Sequence, residues 1–462
     1  MMAPVRPLPG PRGHWLLGVL PRVRKDMLGF FDECFREYGD AAYFRAANRR
    51  SVLLSHPDDI ETVLVTENRR FVKNVALQFL RPLLGKGLLL NEGEAWLRQR
   101  RLVQPAFSKA RVESYAPAMV DCTQRMLAGW HAGQTRDLHR EMIELTMSIA
   151  GRTLLGIDVG ERFDEVVSCL EGVMVDFLAR FRSAVPLPFW WPSPANLRLK
   201  GTIRRLDAIL QHLIEQRRAT GGGDDFLSLL LAARDEQDGR GLANRQVRDE
   251  VMTMFLAGHE TTANALSWTW LLLGQHPHVQ RQVHREVREV LGDRPPTAAD
   301  VPQLPLCERV IKEAMRLYPP AYIVGRRPTE NITIGGNFVP AGTNVLMSQW
   351  IVHRDGRWHD RPLEFDPDRW ADGRTAQLPK YAYFPFGGGP RGCIGNMFAT
   401  FEATLILATV AQQFHLELAG GAPVRILPAI TLRPAGPIEM RLAAATSGSA
   451  APRGCIVAAA QS

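Results

Sequence analysis

The sequence predicts a mainly α-helical protein with small β-sheets, folded as one large domain. Two long Pro-free stretches with apolar periodicity, 244–275 and 397–414, predict helices. The breaks between segments are short turns rich in Pro and Gly, and none has the length or composition of an interdomain linker. Strand-like stretches are few and brief; they are 42–44, 51–54, 332–334, 344–347, 416–418 and 438–442.

The composition is that of an ordinary globular chain. Of 462 residues, 45% are hydrophobic and 23% are charged, which is enough to bury a large core. We expect residues 1–442 to form one domain, and 443–462, which are small, polar and Ala-rich, to be a flexible tail. No run of 18 apolar residues occurs and the Pro-rich beginning lacks a signal peptide's apolar core, so a cytoplasmic protein without an integral membrane anchor is expected.

Charge and cysteine usage exclude several classes of function. The net charge is +8, but Arg is spread in pairs along helical segments without a nucleic-acid-binding module, so no nucleic-acid partner is expected. A basic face for an acidic protein partner is the better use of this charge. The six cysteines are scattered, which indicates neither a disulfide framework nor a structural zinc site.

Cys393 is the residue most indicative of chemistry, because it lies in the run FPFGGGPRGCIGNMFA. The glycines and Pro390 disfavour regular structure before the cysteine, and the predicted helix begins just after it. A helix N-terminus favours negative charge and therefore a thiolate, which can bind a metal through one bond and leave its opposite face open. The alternative, a buried free cysteine in a turn, does not explain the glycine density or Arg391.

This run resembles the haem-binding loop of the cytochrome P-450 family. The resemblance implies haem b between the long central helix and the cysteine-bearing loop, with Cys393 as axial ligand of the iron, Arg391 near a haem propionate and Phe386 beside the ligand. Thiolate ligation favours O–O cleavage. The residues that match the family pattern are Phe386, Gly387, Gly389, Arg391, Cys393 and Gly395.

The middle of the long predicted helix contains the motif AGHETT, residues 257–262. Glycine costs about 1 kcal/mol in a helix interior, and Thr hydroxyls compete for backbone carbonyls, so the motif looks locally unfavourable. It matches the family's oxygen-activation motif, which implies that Gly258 lets O₂ approach the backbone, Thr261 hydrogen-bonds it and Glu260 relays protons. The alternative is the capping signal of a second helix, and His259 is interpreted as a spacer.

Two further motifs match the family. Glu313 and Arg316, with Arg369 from a later Phe-x-Pro-x-Arg segment, imply a buried charge network that holds the haem loop. Trp96 and Arg100 match a helix that contacts haem propionates. Arg326, at the end of a strand that follows a Pro pair, is a third candidate for propionate binding. The neighbours Arg98 and Arg101 are interpreted as a basic surface that could dock an acidic electron carrier.

The family resemblance implies a haem-thiolate monooxygenase. It would insert one atom of O₂ into an apolar small-molecule substrate, with electrons from a separate ferredoxin or flavodoxin and its NAD(P)H reductase. Two alternatives remain open: a peroxide-using or isomerising haem-thiolate enzyme, which the pair Glu260-Thr261 argues against, and a non-catalytic haem sensor or electron-transfer protein.

Overall fold

A computed structural model describes residues 8–156, 188–420 and 423–445, with a few positions between 157 and 187. The last strand continues to Ala444, so residues 443 and 444 of the expected tail lie in regular structure. The rest of that tail, from residue 446, lies outside the described residues.

Helices make up most of the described chain, as the sequence predicted. None of them is long and apolar enough to cross a membrane. In chain order they are α1 Leu20–Lys25, α2 Met27–Tyr38, α3 Pro57–Glu61, α4 Arg81–Leu84, α5 Gly93–Val103, α6 Lys109–Ser114, α7 Ala116–Ala128, α8 Leu138–Ala150, α9 Pro194–Thr220, α10 Phe226–Ala232, α11 Asn244–Gln275, α12 Pro277–Leu291, α13 Pro305–Leu317, α14 Gln349–Val352 and α15 Asn396–Gln413.

Twelve short strands are described, including all six predicted from the sequence. One sheet has five strands in the order β1-β2-β8-β5-β3, another has the order β4-β12-β9, and β10–β11 and β6–β7 form separate pairs. The strands are β1 Ala41–Ala46, β2 Arg49–Leu54, β3 Phe71–Lys73, β4 Thr135–Asp137, β5 Val324–Pro328, β6 Ile332–Ile334, β7 Asn337–Val339, β8 Asn344–Met347, β9 Phe414–Leu418, β10 Ile426–Pro428, β11 Leu432–Pro434 and β12 Glu439–Ala444.

Helix α11 runs unbroken for 32 residues through the middle of the fold and ends where Pro277 begins α12. Every residue from Ala263 to Leu273 is buried, as expected for a helix that is apolar nearly all round. The helix packs against α8, and the Thr146 hydroxyl donates to the His259 carbonyl across that contact. The alternative of a second helix that begins at AGHETT is therefore wrong.

The predicted charge network is confirmed by its geometry. The Arg316 Nε and Nη2 groups donate to the two oxygens of Glu313, both at 2.8 Å, and both side chains are fully buried. Arg369 Nε lies 3.3 Å from Glu313 Oε1, and the Trp370 indole N–H donates to Glu313 Oε2 at 2.9 Å. The remaining N–H groups of the two arginines donate to backbone carbonyls of the segment before the Cys393 loop; Arg316 Nη1, for example, donates to the His353 carbonyl. One carboxylate thus ties α13 to the segment that leads to the cysteine.

We expect Glu313→Gln to lower the free energy of unfolding by about 3–5 kcal/mol, because two buried guanidinium groups would lose their charge partner. Urea unfolding of the loaded protein, followed by circular dichroism, measures this loss. Glu308→Gln is the matched control on the same helix, since its ion pair with Lys312 is exposed and is worth less than about 1 kcal/mol. Equal losses in the two variants would contradict the assignment.

Candidate haem site

The Cys393 loop is held in a compact turn between a short 3₁₀ segment, Gly389–Arg391, and the first residue of α15. The Cys393 N–H donates to the Phe386 carbonyl at 2.9 Å. Gly389 has φ +65°, and an added Cβ would lie 1.8 Å from the Leu64 carbonyl oxygen, so only glycine fits there. Gly387 also has a positive φ, +69°. The glycine density therefore serves both the turn and its close packing.

The Cys393 thiol is accessible to solvent although protein atoms surround it closely. Burial raises the pKa of the thiol, while the Gly395 N–H and the Arg100 guanidinium lower it. Arg100 Nη1 also donates to the Gly392 carbonyl at 2.8 Å. The Gly395 N–H at the start of α15 favours the thiolate, as the sequence predicted for a helix terminus, and burial opposes it.

The AGHETT stretch and the Cys393 loop meet the same two core clusters. One cluster contains the first half of α11 up to Leu256, and Ile394 packs against it. The other contains the second half from Ala263, and Phe386 packs against it. Residues 257–262 belong to neither cluster; Ala257 is exposed, and Gly258, Glu260 and Thr261 are partly exposed. The loop thus contacts both clusters, and the motif lies on α11 between the parts of the helix that belong to them.

The polar residues of the motif have distinct partners. Thr261 Oγ1 donates to the Ala257 carbonyl at 2.7 Å, one helical turn earlier, and the side chain stays partly accessible. His259 is buried, and its Nδ1 lies 2.7 Å from the Phe255 carbonyl. An added Cβ at Gly258 would make only an ordinary 3.6 Å contact with Leu154. Packing against described protein atoms therefore does not by itself require glycine at 258.

A hairpin tip between β10 and β11 is fastened to the same face of α11. Glu260, Asn264 and Trp268 follow each other at one-turn spacing. The Thr431 hydroxyl donates to Glu260 Oε1 at 2.7 Å and accepts from Asn264 Nδ2 at 3.1 Å, and the Trp268 indole N–H donates to the Leu432 carbonyl at 3.0 Å. Thr431 therefore fixes the position of the Glu260 carboxylate, a contact that sequence reasoning missed.

A group of buried cations lies at one side of the site. Lys73 of β3 and Arg326 of β5 are direct partners in the antiparallel register, and both are buried. Like charges placed opposite each other destabilise a sheet unless an anion offsets them. Arg391 lowers the pKa of both, and burial is the larger cause; the pKa of Lys73 falls to about 7. Arg391 forms an ion pair with Glu92, and its Nη1 has no hydrogen-bond partner among described residues.

The charges of this group fit a ligand with two carboxylates. With Lys73 protonated, the three cations and the Glu92 carboxylate leave two positive charges in excess. The next carboxyl group, Glu250, is buried, and desolvation raises its pKa to about 7. Lys73 Nζ donates to the carbonyls of Leu88 and Asn91 at 2.8 and 2.9 Å, which leaves its third N–H. The two propionates expected of a porphyrin match this excess.

Comparison with known proteins decides the family. The cytochrome P450 family profile matches residues 8–441, nearly the whole chain. The chain belongs to the cytochrome P450 family. It is 37% identical to cyclooctatin synthase of Streptomyces melanosporofaciens, over 87% of this chain and 88% of that protein. It is 35% identical to pentalenene oxygenase of Streptomyces avermitilis, over 89% and 92%.

The fold agrees with a solved member of the family. The crystal structure of the cytochrome P450DA heme domain aligns with a TM-score of 0.88 and 28% identity, and covers 95% of this chain and 97% of that one. This confirms the predicted fold class. This P450 is accordingly an oxidoreductase of the monooxygenase type with haem b as its cofactor.

The residues predicted from the sequence fit this cofactor. Cys393 lies on the loop that Arg100 supports through the Gly392 carbonyl, and Arg391 and Arg326 belong to the cation group. Trp96 is buried, with the Arg391 guanidinium 4.9 Å from its ring centroid. Sequence reasoning missed Lys73, because a lysine in a three-residue strand carries no signal until β3 pairs with β5.

A second missed residue is Glu402 of α15. It is buried, and burial raises its pKa to about 8, an effect that the neighbouring Thr262 hydroxyl partly offsets. Its Oε2 has no hydrogen-bond partner in the described part of the chain. The sequence did contain a signal for this residue: a glutamate nine positions after the cysteine, in the apolar stretch of the predicted helix. The position places a titratable group beside Thr262, the last residue of the AGHETT stretch.

The predicted basic surface on α5 has a different role. Arg98 forms ion pairs with Asp235 and Asp238, and Arg101 Nη2 lies 3.1 Å from Asp235 Oδ2. These cations tie α5 to the loop after α10. Their charge is largely neutralised, so they are poor candidates for docking an acidic electron carrier.

We expect Lys73→Met to speed haem loss about tenfold, since a charge-assisted hydrogen bond is worth about 1.5–3 kcal/mol. Transfer of haem to a globin apoprotein measures the rate without any turnover. Lys86→Met, which removes an exposed lysine from a nearby turn, serves as the control and should leave the rate unchanged. A Lys73→Met protein that melts at the wild-type temperature and keeps its haem equally well would show that Lys73 does not hold the cofactor.

Proposed function

We propose that this P450 inserts one atom of O₂ into an apolar organic substrate, by hydroxylation or epoxidation, with electrons from a separate carrier protein. The observation that supports this most directly is that the Cys393 loop packs against both apolar core clusters, while the Glu260-Thr261 pair lies on α11 between the parts of that helix that belong to them. Haem bound through Cys393 supplies the site where two electrons and two protons reduce O₂, one oxygen entering the substrate and the other leaving as water.

The chain's own residues position the protons. Thr261 uses its hydroxyl hydrogen within the helix, toward the Ala257 carbonyl, so its oxygen is left to accept. Glu260 stands next to it in sequence, and Thr431 holds its Oε1 oxygen. We assign proton supply to the pair Glu260 and Thr261. Thr431 acts as a positioning residue that keeps the acid on the side of α11 nearest the hairpin.

The proposed substrate class is terpenoid. Cyclooctatin synthase and pentalenene oxygenase, relatives at 37% and 35% identity, carry the names of terpenes. An apolar ligand agrees with the apolar clusters that border residues 257–262. For electron supply we retain a ferredoxin or flavodoxin with its NAD(P)H reductase, and for location the cytoplasm.

A peroxide-using or isomerising enzyme remains the second candidate, and a haem sensor the third. A peroxide-using or isomerising enzyme would not need an acid held beside a threonine, yet the Thr431 hydroxyl donates to Glu260 Oε1 at 2.7 Å. A sensor or electron carrier has no need of proton supply at all. The hydrogen-bond chain Asn264–Thr431–Glu260 therefore favours the monooxygenase.

We expect Cys393→Ser to abolish the strongly red-shifted absorption that the reduced, carbon-monoxide-treated protein shows with sulfur-anion ligation. A hydroxyl does not supply the thiolate that pushes electron density onto the iron. Cys122→Ser is the control, since Cys122 is a buried thiol of α7. If the Cys393→Ser variant retained haem and the red-shifted band, the assignment of Cys393 as ligand would be wrong.

We expect Thr261→Ala to lower the product formed per NADPH by about tenfold or more and to release the difference as peroxide. Thr431→Val should lower the product formed per NADPH about fivefold, which corresponds to the loss of one hydrogen bond. Pentalenene, a ferredoxin and its NADPH reductase provide the assay, and product is expected with this complete system and none with NADPH alone.

As the control, Thr202→Val removes a comparable hydroxyl from α9 and should change neither the product formed per NADPH nor the release of peroxide. Unchanged coupling in Thr261→Ala, together with turnover on added peroxide, would identify a peroxide user instead. Turnover with NADPH alone would exclude the separate carrier.

A further inference from the structure

An apolar turn near the start of the described chain projects into solvent. Trp15, Leu16 and Leu17 are 80%, 57% and 41% exposed, and Trp15 is the most exposed of the large apolar side chains described. They lie between His14 and Gly18, whose backbones pair in both directions at 2.9 and 2.7 Å. We call residues 14–18 the Trp15 tip. Contiguous exposed apolar residues of this size mark interaction surfaces.

The Trp15 tip is fixed to the five-stranded sheet. The Arg45 guanidinium donates to the carbonyls of His14, Trp15 and Leu16, and the Ala47 N–H donates to the Leu17 carbonyl at 2.8 Å. Gly18 bridges to Ala46 of β1. The apolar side chains are therefore presented by a braced turn, which lowers the entropy cost of placing them against a partner.

The two segments that build the tip carry charge of one sign. The segments that build it, residues 8–25 and 41–54, contain four and three Lys or Arg residues and no Asp or Glu. The whole chain has a net charge of +8, so these segments carry nearly all of the excess. Arg22 pairs with Glu33 and Arg45 serves the tip. The exposed cations that remain are Arg12, Arg24, Lys25, Arg49 and Arg50.

We propose that the Trp15 tip docks this P450 on an anionic lipid surface, as a peripheral contact without a spanning helix. Tryptophan and leucine enter the interfacial region of a bilayer, with the indole at headgroup level. Basic side chains beside them meet anionic headgroups. An acidic protein partner fits the charge but gives no reason for an apolar tip that stands out from the surface instead of forming a recess. The proposal is independent of the substrate and of the electron carrier.

Co-sedimentation of the full-length, haem-loaded protein with vesicles tests this. Binding is expected to vesicles of phosphatidylcholine with phosphatidylglycerol, not to phosphatidylcholine alone. It should fall as the ionic strength rises toward about 1 M, where the Debye length is about 3 Å. Leu16→Ser should weaken partitioning roughly tenfold, and Arg49→Gln about fivefold.

Matched controls separate the tip from general effects of composition. Leu363→Ser removes a leucine that is more exposed than Leu16, 73% against 57%, and Arg374→Gln removes an exposed arginine, both from the segment after α14. Neither should alter vesicle binding, and all four variants should keep the carbon-monoxide spectrum. Equal loss in the control variants, or no vesicle binding by the wild type, overturns the proposal.

The same variants would also reveal two other possible partners of the Trp15 tip. A dimer in gel filtration that Leu16→Ser dissociates, without vesicle binding, would make the tip an interface between copies of this chain. Slower reduction of Arg49→Gln by ferredoxin, again without vesicle binding, would make it the carrier's docking site. Either outcome rejects the lipid surface.

Discussion

The contact between the Cys393 loop and its surroundings is the constraint on which the rest of the structure depends. Gly389 packs its backbone against the Leu64 carbonyl so closely that no side chain fits, and Arg100 donates to the Gly392 carbonyl. From the other direction, the Glu313 carboxylate ties α13 to the segment that leads into the loop. We propose Cys393 as the ligand of the haem iron; a thiol in that role must be held in place, and these contacts hold the loop.

The cofactor site carries an excess of buried positive charge that the described carboxylates of the protein do not neutralise. Lys73 and Arg326 stand side by side in the sheet, Arg391 is close to both, and each is desolvated. Burying an excess of positive charge is unfavourable, and two carboxylates offset it. Desolvation also raises the pKa of the Cys393 thiol, so the sulfur becomes an anion when a metal cation is present. The same ligand thus satisfies both ends of the site, which couples haem binding to stability.

On the surface of the described chain, some cations are paired with carboxylates and others are not. The arginines of α5 that looked like a docking surface are neutralised by Asp235 and Asp238. The excess charge instead surrounds the Trp15 tip, where apolar and basic side chains meet. Net charge alone therefore says little about a partner, because the location of the unpaired cations decides which surface can attract one.

The sequence by itself determined the elements and chemistry that depend on local patterns. Apolar periodicity and Pro277 delimited α11, and the spacing around Cys393 pointed to the family, since both patterns lie in consecutive residues. Only the tertiary structure decided which distant groups meet. Strand pairing placed Lys73 opposite Arg326, and the β10–β11 hairpin brought Thr431 to Glu260, 171 positions away in the chain. Such contacts depend on packing between elements, and short strands leave no periodic signal from which their register could be read.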